Sequence, residues 1–293
     1  MKFDYLRKSK YGYLELTEYK SQQEVDDYFE NKYYQNETGT YNLNYSEEEK
    51  KFFTRKMQEK EYIIRKYLHP KEKYSLLDVG CGEGRTLLYF KKKGYNVTGI
   101  DYSKYAVEHN CPQVLDDFIQ GDSKKVLPEL VKAGRKYDII CSDMMLDMTQ
   151  KPELVIQECK KLLSKDGIMW INVSNNYSML QMKLLMDGKI KKDYWLDKEG
   201  HPVYFNTEAL RQFGTENELE LLDIYGESFI DLNLANDLTN YYENGNVGHN
   251  CYEARVYLEN LMMDISMEKF VEISRLLGEM GFGRTVTGIF RIK

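Results

Sequence analysis

"YSLLDVGCGEGRTLLYF", residues 74–90, sets three glycines at alternate positions between an apolar run and an amphipathic one. A strand that enters a glycine-rich turn and leaves as a helix presents free backbone N–H groups, and the missing side chains let a nucleotide-like ligand come close. The dinucleotide fingerprint requires GxGxxG. Here the turn reads Gly80-Cys81-Gly82-Glu83-Gly84, and Arg85 stands where the third glycine belongs, which disfavours a pyrophosphate and with it an NAD-type oxidoreductase. Asp78, at the end of the strand, would repel phosphate yet suits a cationic amino group. The turn therefore predicts a zwitterionic ligand.

From Ser75 onward short apolar runs alternate with amphipathic segments, as in "SLLDV", "RTLLYFKKKG", "YNVTGID", "SKYAVEHN", "VLDDFIQGD", "SKKVLPELVKAG", "YDIICSD", "KPELVIQECKKLLSKDG" and "IMWINVS". Runs apolar on both faces and separated by helices predict a parallel sheet covered on both sides, with right-handed crossovers. Asp101 ends the second run, where a carboxylate accepts hydrogen bonds from ribose hydroxyls. Asp122 ends the third, where it or the neighbouring Ser123 is placed to accept from an adenine amino group while Tyr102 covers the ring. Three successive strand ends lie along one edge of such a sheet, the edge at which open α/β folds bind ligands.

The motifs "LLDVGCGEG", "VTGIDYS", "FIQGDS", "YDIICSDMMLDM" and "LLSKDGIMWINV", in this order, resemble the class I S-adenosylmethionine-dependent methyltransferases over about residues 75–173. The resemblance implies an α/β, Rossmann-like seven-stranded sheet with helices on both faces. It implies S-adenosylmethionine as cofactor and S-adenosylhomocysteine as product. It assigns Asp78, Gly80, Cys81, Gly82 and Gly84 to the methionine end, Asp101, Tyr102 and Ser103 to ribose and adenine, and Asp122 and Ser123 to the adenine edge. Ser142 and Asp143, after the fourth strand, are expected to face cofactor and acceptor. By the same resemblance "TEALRQFGTEN" (207–217) is the last helix, and "LELLDIYGESFI" (219–230) and "RTVTGIFRIK" (284–293) are the closing strands.

Around this unit, residues 1–74 read as a helical cap, with a helix from Glu47 to Tyr67 halted by His69 and Pro70. On that helix Phe53, Met57, Ile64 and Leu68 share a face that predicts packing. Two insertions remain, at 174–206 and 231–283. The first follows the fifth strand, where such enzymes build an acceptor site. The second reads as two helices, the latter capped by Ser266 and ended by Gly281, suited to an acceptor lid or a homodimer contact.

The acceptor is narrowed mainly by exclusion. The last 120 residues hold 12 Lys and Arg against 19 Asp and Glu, and no basic stripe offers itself to a polyanion, so a nucleic-acid acceptor is not expected. The fourth strand ends in "SDMML", without the Pro-Pro-aromatic motif of base-amine methylation. A small molecule is left. "EGHPVYFNTEALRQF" (199–213) is similar to a segment of bacterial methyltransferases of sugars and surface polysaccharides, which points to a sugar hydroxyl; the acidic C-terminal part suits an amine or amino sugar as the alternative. For proton removal the candidates are His201, Asp143 and, less favoured, His249. Met144, Met145 and Met148 suit an apolar acceptor wall, and Tyr33 and Tyr34 a closure from the cap. A cofactor-binding module without transfer activity is the remaining alternative.

No run of 18 apolar residues and no signal-like N-terminus occurs, so a cytoplasmic protein without membrane contact is expected. Cys81, Cys111, Cys141, Cys159 and Cys251 form no CxxC pair, and neither a metal site nor a disulfide framework is expected.

Overall fold

The computed structural model describes residues 5–33, 45–196 and 200–293. In chain order the elements are β1 (Leu6–Lys8), β2 (Leu14–Leu16), α1 (Gln22–Asn31), α2 (Glu47–Arg65), β3 (Ser75–Val79), α3 (Arg85–Lys92), β4 (Asn96–Asp101), α4 (Tyr105–Asn110), β5 (Phe118–Gln120) and α5 (Ser123–Lys132). They continue with β6 (Tyr137–Asp143), α6 (Pro152–Leu162), β7 (Leu163–Ser174), α7 (Met179–Met186), β8 (Val203–Tyr204), α8 (Thr207–Glu216), β9 (Leu219–Glu227), α9 (Gly248–Ile265), α10 (Met267–Glu279) and β10 (Thr285–Ile292).

Seven strands form one sheet in the order β5-β4-β3-β6-β7-β10-β9, with β10 antiparallel to both of its neighbours. The five preceding strands pair in parallel. Successive side chains of a strand point to opposite faces, and the apolar runs serve both. Leu77, Ile140, Met169 and Ile171 pack with α5, α6 and α8 through Leu127, Val155 and Phe213. Their neighbours Leu76, Ile139, Ile168 and Trp170 pack with α2, α3 and α10 through Ile63, Ile64, Leu87 and Val271. Each fully buried Leu or Ile contributes roughly 1.5–3 kcal/mol.

The third strand is shorter than its apolar pattern predicts. Residues Pro112–Asp117 form a 3-10 turn, and only Phe118–Gln120 extend along the sheet. Proline fixes the backbone at the start of that turn, and Val114 finds its burial beside Val107 and Leu87 without entering the sheet.

The N-terminal part is more than helical. β1 and β2 form an antiparallel hairpin, and β2 pairs with β8 to make a second, three-stranded sheet. Tyr13 anchors this sheet to the core, packing on Phe205 and Phe213 and donating to Glu153 at 2.8 Å. α2 begins with a capping box, in which Ser46 Oγ accepts from the Glu49 N–H and Glu49 accepts from the Ser46 N–H. Both α9 and α10 buttress it. Phe52 packs with Val256, Met263 and Phe270, and Lys51 meets Asp264 at 2.7 Å. Glycine is required where α10 rests on β9: a Cβ on Gly226 would lie 2.1 Å from the Phe282 carbonyl oxygen, and one on Gly278 would lie 2.6 Å from the Gly226 nitrogen. Among the described residues no helix is long and apolar enough to cross a membrane.

Candidate active site

A cavity of about 430 Å³ opens at the carboxyl ends of β3, β4 and β6 and is closed over by α1 and α2. That volume is suited to a molecule of drug-like size, for which sites span roughly 300–1,000 Å³. The glycine turn forms its floor. Gly80 has φ +79°, and a Cβ there would stand 2.7 Å from the side chain of Met145, so only glycine is accommodated. The N–H groups of Gly80 and Cys81 both donate to the Ile100 carbonyl, at 2.8 and 3.0 Å, tying the turn to the end of β4. Gly84 starts α3 in the left-handed conformation, and it does so behind the cavity wall.

Two buried polar atoms of the turn lack protein partners. Asp78 Oδ1 is a bare acceptor and Arg85 Nη2 a bare donor, and both residues line the cavity. Burial pushes the Asp78 carboxyl up, with Lys60 acting in the opposite direction. The Arg85 guanidinium is held 4.0 Å over the Phe53 ring and 4.7 Å over Tyr45, and its Nε donates to Glu83. An acceptor for an ammonium and a donor for a carboxylate fit the two ends of an amino acid. The residues present therefore suit the methionine part of S-adenosylmethionine.

Asp101, at the end of β4, accepts from the Gly82 N–H at 2.9 Å and the Ser103 N–H at 3.1 Å. Burial pushes its carboxyl up, and these backbone donors pull it back. A carboxylate has lone pairs beyond those two bonds, which leaves Asp101 able to accept from ribose hydroxyls. Tyr102, Asp122 and Ser123 also line the cavity, with Asp122 accepting from the Lys124 N–H at 2.9 Å as the cap of α5. From the cap, Phe29 of α1 stacks on Tyr102 at 5.9 Å, and Tyr33 joins the wall. Tyr34 lies outside the described residues. Cys81 lines the floor as a thiol that burial pushes well above its ordinary value, so it packs and does not attack.

Several of the expected residues lie away from this wall or are engaged by other side chains. Ser103 and Ser142 are buried off the wall. Ser103 holds Asp101 through its backbone, whereas Ser142 is one residue short of the strand end and is buried. Asp143 lines the cavity, yet both of its oxygens are engaged: Oδ1 accepts from Trp170 Nε1 at 2.7 Å, and Oδ2 is paired with Lys60. With both oxygens taken, Asp143 presents no unpartnered oxygen to an acceptor hydroxyl. His201 does not line the cavity. Adjacent Pro202 and the pairing of β8 with β2 carry it to the far side of Asp147, 3.6 Å away. His249 is solvent-exposed beside Glu253. Among the described residues, neither 174–206 nor 231–283 contributes to the wall.

The wall is completed by α2 instead. Lys56, Glu59 and Lys60 follow one another at helical spacing on the face that continues into Ile63 and Ile64, and all three line the cavity. Lys60 is 3% exposed; burial pulls its ammonium down, and Asp143 with Asp78 more than reverses that. Lys56 bridges Glu59 and Glu227, with 2.6 Å to the latter, and Glu227 also accepts from Thr287, which accepts from Asn172 at 2.7 Å. Met144, Met145 and Met148 also line the cavity. A charged stripe on a helix reads in sequence as solvated, which hid these residues. The signal available was their period, shared with Phe52, Ile63 and Ile64.

A family model described as a methyltransferase domain matches residues 52–224. The ubiquinone biosynthesis O-methyltransferase of Pelagibacter ubique is 28% identical over 186 residues, 62% of this chain and 76% of that one. The protein of the same name from Actinobacillus pleuropneumoniae is 32% identical over 113 residues, 34% of this chain and 45% of its own length. Among solved structures, a SAM-dependent methyltransferase from Archaeoglobus fulgidus superimposes with a TM-score of 0.48 at 15% identity, covering 80% of this chain and 93% of that one. With its glycine turn, its sheet and a domain match spanning more than half of its length, the chain belongs to the methyltransferase domain family and is an enzyme whose methyl donor is S-adenosylmethionine.

Proposed function

We propose that the enzyme methylates a hydroxyl of a small, partly apolar acceptor held between the methionine wall and the polar face of α2. In this reading Asp78 takes the ammonium of the donor and Arg85 its carboxylate. Asp101 takes the ribose hydroxyls, Tyr102 the adenine face, and Asp122 with Ser123 the adenine edge. When bound, S-adenosylmethionine supplies an electrophilic methyl group on a sulfonium. The chain's own part is to align the acceptor oxygen with that group and keep water out, which Met144, Met145, Met148, Phe29 and Trp170 suit. The observation that carries the donor assignment is the pair of buried, partnerless atoms of opposite character on Asp78 and Arg85.

An oxygen acceptor is supported by the O-methyltransferase names of the curated relatives. A sugar acceptor loses the support first offered for it. The segment 199–213 contributes no described residue to the cavity; Phe205, Leu210 and Phe213 of that segment are core residues. An amine acceptor meets a wall where Asp143 and Glu227 are already paired with lysines. We also infer a cytoplasmic location from five free, buried thiols.

The test is calorimetric titration with S-adenosylmethionine, S-adenosylhomocysteine and NAD, repeated on Asp101→Ala, followed by transfer of labelled methyl to phenols, methyl glycosides and amino sugars. Both sulfur nucleosides are expected to bind, with affinity reduced at least about tenfold in the variant, because each lost bond to a charged acceptor is worth about 1.5–3 kcal/mol. Label is expected in the phenols. Binding of NAD alone would overturn the donor assignment, and label confined to amines or glycosides would overturn the acceptor.

A further inference from the structure

We propose that Glu59 is the general base that takes the acceptor's proton, an assignment that rests on the O-methyl-transfer reading above. Glu59 sits in the middle of α2 and lines the cavity between Lys56 and Lys60. Its Oε2 accepts from Lys56 Nζ, while its Oε1 is buried and has no partner. The other carboxylates on this wall are committed: Asp143 to Trp170 and Lys60, Glu227 to Lys56 and Thr287. Among the described residues of the acceptor side, Glu59 alone offers a bare carboxylate oxygen. Buried polar atoms are almost always satisfied, so an exception on a cavity wall marks a candidate ligand contact.

The proton chemistry is simple. The acceptor hydroxyl donates to Oε1. As its oxygen bonds to the methyl carbon, the carbon–sulfur bond breaks and its electron pair stays on sulfur, while the hydroxyl proton passes to Glu59. The products are the methyl ether, neutral thioether and a protonated carboxyl. Burial pushes the Glu59 carboxyl up to about 7, against the pull of Lys56. Glu227 from β9 and Glu259 from α9 face it and push in the same direction as burial, and Arg255 lies beside Glu259 at 3.9 Å. A base with that affinity is suited to work near neutrality.

The experiment uses Glu59→Gln, whose amide oxygen can still accept from Lys56, with phenol and 4-nitrophenol as acceptors. The assay is run well above neutrality, where the second is already ionised and the first is not. The variant is expected to bind S-adenosylhomocysteine, which lacks the sulfonium, within twofold of the parent, to lose about 10²–10⁴-fold in kcat on phenol, and to lose far less on 4-nitrophenol. The acid limb of the parent's pH profile on phenol is expected to vanish. Unchanged turnover of phenol, or equal losses on both acceptors, overturns the proposal and makes Glu59 a partner of Lys56 only. Proton release is read separately, by titrating S-adenosylmethionine and S-adenosylhomocysteine at pH 7 in two buffers of different ionisation enthalpy. The sulfonium should expel a proton from Glu59, so the parent should release more protons with the first ligand than with the second, and the variant should not. Should neither phenol accept methyl, equal release by parent and variant overturns the assignment. Failure of the parent to bind either nucleoside would instead remove the donor reading beneath it.

Discussion

Replacing Lys60 with methionine tests the charge arrangement on which the cavity depends. Methionine retains most of the side chain's length and apolar contact, including the ring of Trp170 that the ammonium now overlies at 5.1 Å. What it removes is the cation between Asp143 and Asp78. Deleting one partner of a buried pair costs about 3–5 kcal/mol, because the remaining charge stays desolvated. The Asp143 side chain is 35% exposed, so water screens part of the loss and the lower end, about 3 kcal/mol, applies. At about 2 °C per kcal/mol for a chain of this size, Tm should fall by about 6 °C. The deficit should depend on pH with a definite sign. Without Lys60 the Asp78 carboxyl, which burial already pushes up, binds its proton still more tightly relative to its unfolded value near 4. Such a group adds stability at low pH and loses it as pH rises through the raised folded value, so the variant should lie closest to the parent at pH 5.5 and furthest below it at pH 8. Differential scanning calorimetry of the ligand-free proteins reads both quantities. A deficit below about 2 °C at both pH values, or one that shrinks as pH rises, would refute the reasoning.

Two further outcomes are expected. Burial places the Asp78 carboxyl near 7, and only its ionised form can pair with the donor's ammonium, so affinity for S-adenosylmethionine should fall about tenfold per unit of pH below that value. In Asp78→Asn binding of S-adenosylhomocysteine, which carries the same ammonium but no sulfonium to act on Glu59, should be weak and nearly independent of pH from 5.5 to 8.5, and calorimetry showing a parallel slope for that ligand in parent and variant would reject the role given to Asp78. Gly226→Ala should destabilise by about 1–3 kcal/mol, because its Cβ meets the Phe282 backbone and α10 must lift from β9. The urea midpoint should drop accordingly, and an unchanged midpoint would show that the contact is not required.

The parallel core of the sheet was legible because its strands are short, doubly apolar and separated by amphipathic helices, and because the glycine turn and Asp101 have chemical meaning at fixed places in that pattern. The donor half of the site follows from local chain order. The acceptor half does not. Lys56, Glu59 and Lys60 lie on a helix whose position over the cavity is set by α9 and α10, more than 180 residues away in sequence, through contacts such as Tyr252 with Glu49. The one local hint that charges of "KMQEKE" are buried is the period they share with Phe52, Ile63 and Ile64. His201 illustrates the opposite error: its residue type fits a base, but the pairing of β8 with the N-terminal hairpin sets its position, and that pairing is tertiary. The hairpin itself was obscured by three-residue strands among many tyrosines and charges, too short for a period of two to register.

Phe29 and Tyr33 lie across the cavity that Asp101 and Tyr102 open. Any ligand entering or leaving along that side must displace α1, a ten-residue helix that lies outside the seven-stranded sheet. Exchange of ligand along that side would then depend on how often this short segment lifts. The same segment is also a separable part. A different sequence grafted between β2 and α2 would alter residence time while leaving the floor that grips the donor untouched.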